Sequence, residues 1–187
     1  MAAKKISEEL KSAILAQSQK DKDKLLLRLI RKDDLLIEQL HFKLLEDEFD
    51  LEKRREAIRT AIEKYAQAGH SWTPGLLMME MRDFSGRITR YSRVTKDKVG
   101  EVQLYFFLIG TYLRDNLEML EAEAHRADKF SKYVVKRMQT TLKKAKKLHP
   151  DLHIEFEEEL DLAFKSLDNF QPTSDMLVEM QVRWQEQ

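Results

Sequence analysis

Apolar residues recur every three or four positions along almost the whole chain, and this period constrains the fold more than any other feature. Successive residues of an α-helix are rotated by about 100°, so this spacing keeps the apolar side chains on one face of a helix. The clearest stripe consists of Val99, Val102, Phe106, Ile109, Leu113, Leu117 and Leu120. It predicts a central and deeply buried helix.

The stretch RITRYSRVTK, residues 87–96, carries four cations and has to be assigned to a strand or to a helix. A strand through Ile88 would place Arg90 and Ser92 on the same face as Ile88, so the two-residue period fails. In helical spacing, Ile88 belongs to a stripe of Leu77, Met81, Phe84, Ile88 and Tyr91. The stretch is therefore predicted to be helical, with its arginines on the solvated face.

The ends of several helices are also predictable. Thr73 can accept a hydrogen bond from an orphan amide and Pro74 suits the first helical position, while Gly69 ends the helix before it. Trp72 is predicted to pack onto Leu77 as a hydrophobic staple, with a partner-anchoring role as the alternative. Further stripes predict helices at about 6–19, 50–68, 76–95, 128–148, 151–170 and 173–186, and two more within 22–50 that separate at Lys32, Asp33 and Asp34.

A chain of 187 residues with five Gly and three Pro fits one all-helical domain, residues 1–187, with short connections. Short connections pack neighbouring helices antiparallel. We expect stacked αα-hairpins in the layout of a HEAT or armadillo right-handed superhelix, with a compact multi-helix bundle as the alternative. No signature repeats at a fixed period, so the likeness to HEAT-like arrays concerns layout only.

Charge and cysteine content limit the function classes. Lys plus Arg equals Asp plus Glu at 33 each, so no global field attracts nucleic acid or a membrane surface. The absence of cysteine suits a reducing compartment and makes the cytoplasm the expected location. The most apolar run, residues 104–113, is shorter than the roughly 20 residues of a membrane span. We therefore expect no membrane association.

Two basic helix faces, at residues 82–98 and 129–147, are the strongest local charge signals. The second contains eight cations and no carboxylate. Its acidic neighbours, residues 115–128 and 151–168, are predicted to compensate part of this charge or to leave it solvated. The candidate binding residues on the two faces are Arg82, Arg87, Arg90, Arg93, Lys136, Lys143 and Lys147.

Binding of single-stranded nucleic acid would also need exposed aromatic rings among these cations, because bases stack on such rings. Tyr91 and Tyr133 are the nearest candidates. Tyr91 lies on the apolar stripe and Tyr133 precedes the buried-looking Val134, so core packing is the favoured role of both.

The sequence favours a role without catalysis. It contains no glycine-rich phosphate loop, nucleophile elbow or H-E-x-x-H motif, so we expect neither a cofactor nor a catalytic residue. Glu38 and His41 have the spacing of half a di-iron site, but the second copy that such a site needs is missing, so no metal site is predicted. Groups distant in the sequence could still converge into an active site.

Trp184, on the narrow stripe of the last predicted helix, is a further candidate binding residue. The stripe could complete the core or dock on another subunit, so residues 173–187 are a candidate face for homo-oligomers. The main functional hypothesis is a helical binding or scaffolding module for a protein partner. The alternative is nucleic-acid binding through the basic faces at 82–98 and 129–147.

Overall fold

The computed structural model describes residues 6–69 and 72–184 and contains no β-strand within them, so the prediction of an all-α protein is confirmed. The chain divides at Leu45 and Glu46 into two compact units. The expectation of a single domain across residues 1–187 stays a prediction.

Residues 6–45, the described part of the N-terminal unit, form three short helices: α1 (Glu8–Ala16), α2 (Gln19–Ile30) and α3 (Asp34–Leu45). Ser7 and Ser18 cap the first two helices through their side-chain oxygens. The Asp33 carboxylate accepts a hydrogen bond from the Leu36 amide over 3.1 Å. The predicted break between two helices at residues 32–34 is therefore confirmed.

The apolar stripes of this unit do not form a buried core, although their helical spacing predicts an apolar face that is turned inward. Leu10, Leu26 and Leu44 are 53%, 56% and 69% exposed, and no residue of α1, α2 or α3 is buried. The physical reason is size. Three helices of 9 to 12 residues hold too few apolar side chains to enclose one another completely.

Where the structure describes it, at residues 46–69 and 72–184, the C-terminal unit contains the remaining helices and two 3₁₀ segments, Ala124–Arg126 and Pro150–Phe156. Its α-helices are α4 (Glu48–Gln67), α5 (Pro74–Thr95), α6 (Lys98–Asp115), α7 (Leu117–Ala122), α8 (Asp128–Ala145), α9 (Glu157–Asn169) and α10 (Gln171–Glu179).

The start of α5 follows the predicted capping pattern. The Thr73 hydroxyl accepts from the Leu76 amide over 3.4 Å, Pro74 is the first helical residue, and Gly69 takes a left-handed φ of 61° after α4. Trp72, however, is 78% exposed. The predicted staple is therefore not a buried one, and most of the indole faces solvent.

Helix α6 is the centre of this unit, as its stripe predicts, but it ends at Asp115, so Leu117 and Leu120 of that stripe lie on α7. Every residue from Gly100 to Leu113 is buried, and α6 packs against α4, α5, α8 and α9. Residues 87–95 lie in α5, so the prediction that this stretch is helical is confirmed. Phe84, Ile88 and Phe106 are at most 1% exposed, as the apolar stripes predict. Burial on all sides explains why residues 104–113 are apolar around the whole helix.

Side-chain contacts give the helix directions. Arg55 of α4 binds Asp97 before α6, and the Asn116 side chain after α6 donates to the Ala66 carbonyl near the end of α4. These two helices therefore run parallel. Helix α9 has the same direction, because Gln103 bonds to the Glu155 carbonyl just before α9 while Gly110 meets Leu162.

Helices α5 and α8 run antiparallel to α6. Ser85 of α5 contacts Tyr105 and Ser92 contacts Lys98, so the order along α5 is reversed along α6. Lys144 near the end of α8 contacts Glu101 near the start of α6. The enclosed α6 is compatible with the compact-bundle alternative, and the HEAT or armadillo superhelix is not confirmed.

The C-terminal helix is shorter than predicted. It ends at Glu179, and Gln181 adopts a left-handed φ of 51°, so Trp184 lies outside it. The predicted helix over 173–186 is wrong in this part, and residues 185–187 of the proposed oligomer face lie outside the described residues. Across residues 6–69 and 72–184, no helix combines the length and apolarity needed to cross a bilayer.

Candidate functional site

A stripe of hydroxyl side chains on α5 faces α6 and α8. Ser85, Thr89 and Ser92 are spaced by four and three residues, which places them on one side of the helix. Opposite them, Tyr105 of α6 and Tyr133 of α8 bring phenol groups from two different helices. The candidate site is the surface where these three helices meet.

Four of these five hydroxyl groups donate their protons inside the protein. Ser85 donates to the Met81 carbonyl over 2.8 Å, so the Tyr133 hydroxyl, 3.0 Å away, donates to Ser85. Thr89 and Tyr105 lie 2.9 Å apart and share the Ser85 carbonyl as an acceptor. Because these four hydroxyl protons are used internally, the four side chains order the helices and do not donate to a ligand.

Three cations lie over the two tyrosine rings, and we call Arg82, Arg137 and Lys144 the cationic row. The Arg82 guanidinium carbon lies 5.2 Å from the Tyr133 ring centre. Arg137 lies 5.0 Å from the Tyr105 ring and 5.8 Å from the Tyr133 ring, and Lys144 Nζ lies 5.1 Å from the Tyr105 ring. Attraction to the negative ring faces holds these cations in place.

Charge compensation within the cationic row is incomplete. Lys144 Nζ lies 2.6 Å from Oε1 of the buried Glu101, whose other oxygen lies 3.7 Å from Lys98. Among the described residues, no carboxylate lies within 4.0 Å of Arg82 or Arg137, and Arg137 Nε is shielded from water without a hydrogen-bond partner. The row therefore presents more positive charge than its own contacts neutralise.

A second polar network fixes the corner between α5 and α6. Asp97 caps α6 by accepting from the Gly100 amide over 2.8 Å, and also accepts from Tyr91 over 2.5 Å and from Arg55 over 2.9 Å. A Cβ at position 100 would collide with the Asp97 carboxylate, so any larger residue there would displace that carboxylate from the network. The network joins α4, α5 and α6 at a single carboxylate.

The ionisation of this network follows from its contacts. Burial alone would raise the pKa of Asp97, but the hydrogen bonds from Tyr91 and Gly100 and the charge of Arg55 outweigh it and hold that pKa below its usual value. Burial and the Asp97 hydrogen bond raise the pKa of Tyr91. Asp97 is therefore a carboxylate and Tyr91 a neutral phenol at neutral pH.

The arginines predicted on α5 differ in their surroundings. Arg82 joins the cationic row, whereas Arg87 pairs with Asp83 over 2.9 Å and lies 4.7 Å from the Phe84 ring centre. Arg90 and Arg93 are exposed, and each already interacts with another group of the protein.

The lysines predicted on α8 are all solvent-exposed. Lys136 and Lys143 lie on α8, and Lys147 lies two residues beyond its end. Of the eight cations in residues 129–147, all of them described, only Lys144 has a carboxylate within 4.0 Å, and that carboxylate is Glu101 of α6. The acidic stretches 115–128 and 151–168 therefore form no direct ion pairs with this run, and its charge is mostly solvated, which is one of the two outcomes expected from the sequence.

Trp184 packs on its own chain. Its ring is perpendicular to that of Phe156, with centres 6.0 Å apart, and lies 5.1 Å from the ring of His153. The side chain remains partly exposed.

Sequence reasoning missed Arg137 and Lys144, which were only part of a longer basic run. The spacing of Tyr133, Arg137 and Lys144 by four and seven residues places them on one helix face, and this signal was available in the sequence. What the sequence lacked was the identity of the facing residues.

Within residues 6–69 and 72–184, no three His, Asp or Glu side chains are arranged to hold a metal ion. Glu38 and His41 lie on α3 in the N-terminal unit. Comparison of the chain with models of protein families, with curated proteins and with solved structures gives no match. The functional argument therefore rests on the residues of the site itself.

Proposed function

We propose that this protein is a non-enzymatic helical binding module that recognises an acidic segment of a protein partner. The observation that carries the proposal is the cationic row: Arg82, Arg137 and Lys144 lie over two tyrosine rings with one carboxylate, Glu101, among them. The exposed Lys136 and Lys143 extend the positive surface along α8. A scaffolding role fits either a compact bundle or the predicted HEAT-like superhelix.

Preorganisation supports a recognition role. A guanidinium that rests on an aromatic ring keeps its N–H edge available while its side chain loses rotamer freedom before binding. Because the neighbouring hydroxyls donate inside the protein, an anion would be recognised by the cations alone. Such a surface suits an extended acidic chain better than one tightly coordinated small anion.

The alternative, nucleic-acid binding through the faces at 82–98 and 129–147, lacks a stacking platform. Tyr91 is 6% exposed and hydrogen-bonded to Asp97, and the ring of Tyr133 already carries Arg82 and Arg137. Neither tyrosine offers a free face to a base. The protein partner is therefore the favoured one.

The test is a fluorescence anisotropy titration of the full chain against a fluorescein-labelled glutamate-rich peptide, with single-stranded DNA and duplex RNA as competing probes. The variant Arg82→Gln/Arg137→Gln should weaken peptide binding about tenfold. Lys136→Gln/Lys143→Gln, which changes only exposed side chains, should weaken it about threefold. The matched control Lys64→Gln/Lys165→Gln removes two exposed cations from α4 and α9 and should bind as wild type.

Peptide binding that is equal in all four proteins would remove the proposal. Tighter binding to nucleic acid, with an affinity that falls steeply with added salt and is lost in Arg82→Gln/Arg137→Gln, would favour the alternative.

A further inference from the structure

The C-terminal segment forms a surface with two depressions that share Trp184 as a wall. One has a volume of about 320 Å³ and is lined by Phe156, Glu157 and Leu160 among others. The other has a volume of about 400 Å³, and its lining includes Phe164, Asp168 and Arg183. We call this surface the C-terminal patch.

Each depression also carries an aliphatic side chain that projects into solvent. Ile154 borders the first depression and is 72% exposed, and Val178 borders the second and is 74% exposed. A branched aliphatic residue with this exposure contributes little to the stability of its own chain. The patch therefore contains apolar projections and apolar recesses next to each other.

The charges of the second depression have opposite signs. Asp168 and Arg183 both line it, and among the described residues neither has an ion-pair partner within 4.0 Å. A surface with one acidic and one basic group around an apolar recess supplies both members of an ion pair to a two-fold interface with a copy of itself. A two-fold axis that lies in the interface, perpendicular to the line from Asp168 to Arg183, would place Asp168 of each copy against Arg183 of the other.

We propose that the C-terminal patch is the interface of a symmetric homodimer, in which Val178 of each copy enters the depression beside Trp184 of the other. Charge complementarity is the argument for a second copy over a different protein, because one patch supplies both members of each pair. The net charge of zero also favours a second copy of the chain as the partner, since no long-range repulsion keeps two copies apart. This inference does not depend on the cationic row.

The experiment measures the mass of the full chain by sedimentation equilibrium, from micromolar to several hundred micromolar protein. The wild-type mass should rise from that of the 22.2 kDa chain toward twice that value. Val178→Asp should raise the dimer Kd at least tenfold, because a charge enters an apolar recess. Met79→Asp replaces another exposed apolar residue, on α5, and should leave the Kd unchanged.

Charge reversal tests the pairing itself. Asp168→Arg and Arg183→Asp should each weaken the dimer about threefold or more, and the combined variant should return to about the wild-type Kd. Both side chains are exposed, so circular dichroism of the variants should match wild type. A monomer mass at every concentration, a dimer indifferent to Val178→Asp, or a combined variant that does not recover would each overturn the proposal.

Discussion

Arg55 on α4 donates a 2.9 Å hydrogen bond to the carboxylate of Asp97, which lies 42 positions later and caps α6. The two side chains are only 18% and 10% exposed, so little water screens them. This pair fixes the parallel packing of α4 and α6 at one end of the bundle. It is therefore expected to be far more costly to break than the ion pairs of the surface.

Asp97→Ala should lower the free energy of unfolding by about 3 kcal/mol, because it removes a helix cap and leaves the half-buried Arg55 with only the exposed Glu52, 3.4 Å away, as an ionic partner. Chemical denaturation of Asp97→Ala, Arg55→Met and the double variant gives the coupling between the two residues. The control is Asp83→Asn, which breaks the exposed pair with Arg87 and should cost less than about 0.5 kcal/mol. Similar losses of unfolding free energy in Asp97→Ala and Asp83→Asn would contradict the prediction that the buried pair stabilises the protein more than the exposed one.

The same carboxylate predicts an acid dependence of stability. The pKa of Asp97 lies below its usual value in the folded protein, whereas in the unfolded chain it is near the ordinary aspartate value of about 3.9. The stabilisation is therefore complete above about pH 5 and is lost as pH falls through the folded pKa.

Asp97→Asn lacks this titration, so the difference in unfolding free energy between wild type and Asp97→Asn should be constant from about pH 5 to 7 and shrink below about pH 4. Denaturant unfolding at stepped pH values measures this difference. A gap that stays constant down to about pH 2 would show that the pKa of Asp97 is not depressed by folding.

Replacement of two helical glycines by alanine should change the stability of the protein in opposite directions. A Cβ at Gly110 of α6 would lie 2.6 Å from Leu162 Cγ and 3.1 Å from the Ala163 amide nitrogen, so the backbones of α6 and α9 would have to separate. Gly110→Ala should cost about 2 kcal/mol despite its better helix propensity.

Gly86 of α5 is the matched control, because its Cβ would meet no atom within 4 Å. Gly86→Ala should stabilise the protein by about 0.5 to 1 kcal/mol. The urea midpoints of the two variants show whether each substitution stabilises or destabilises the protein. Stabilisation by Gly110→Ala would mean that α6 and α9 do not approach as closely as described.

Several features of the fold were predictable because they depend on neighbouring residues alone. The cap at Thr73, the left-handed Gly69 and the inward faces of Phe84 and Ile88 follow from local spacing and backbone preference. The central position of α6 follows from its unusually wide apolar surface.

Other predictions failed where burial depends on what lies opposite. The stripes through Leu10, Leu26 and Leu44 have helical spacing, yet these side chains are exposed. Trp184 continues the period of the last helix, yet α10 ends at Glu179 and the chain turns at Gln181. Helical period indicates which face is apolar, but not how long the helix is or whether another element covers that face.

For the candidate site, the sequence by itself determined that cations concentrate on α5 and α8, because charge runs are visible as composition. Only the tertiary structure decided that Arg82 and Arg137 share the ring of Tyr133 while Arg87 pairs with Asp83. Helix formation depends on contacts within a few residues, whereas this arrangement depends on how α5 and α8 pack on α6. Many packings satisfy the same apolar pattern, and side-chain shape and long-range polar contacts select among them.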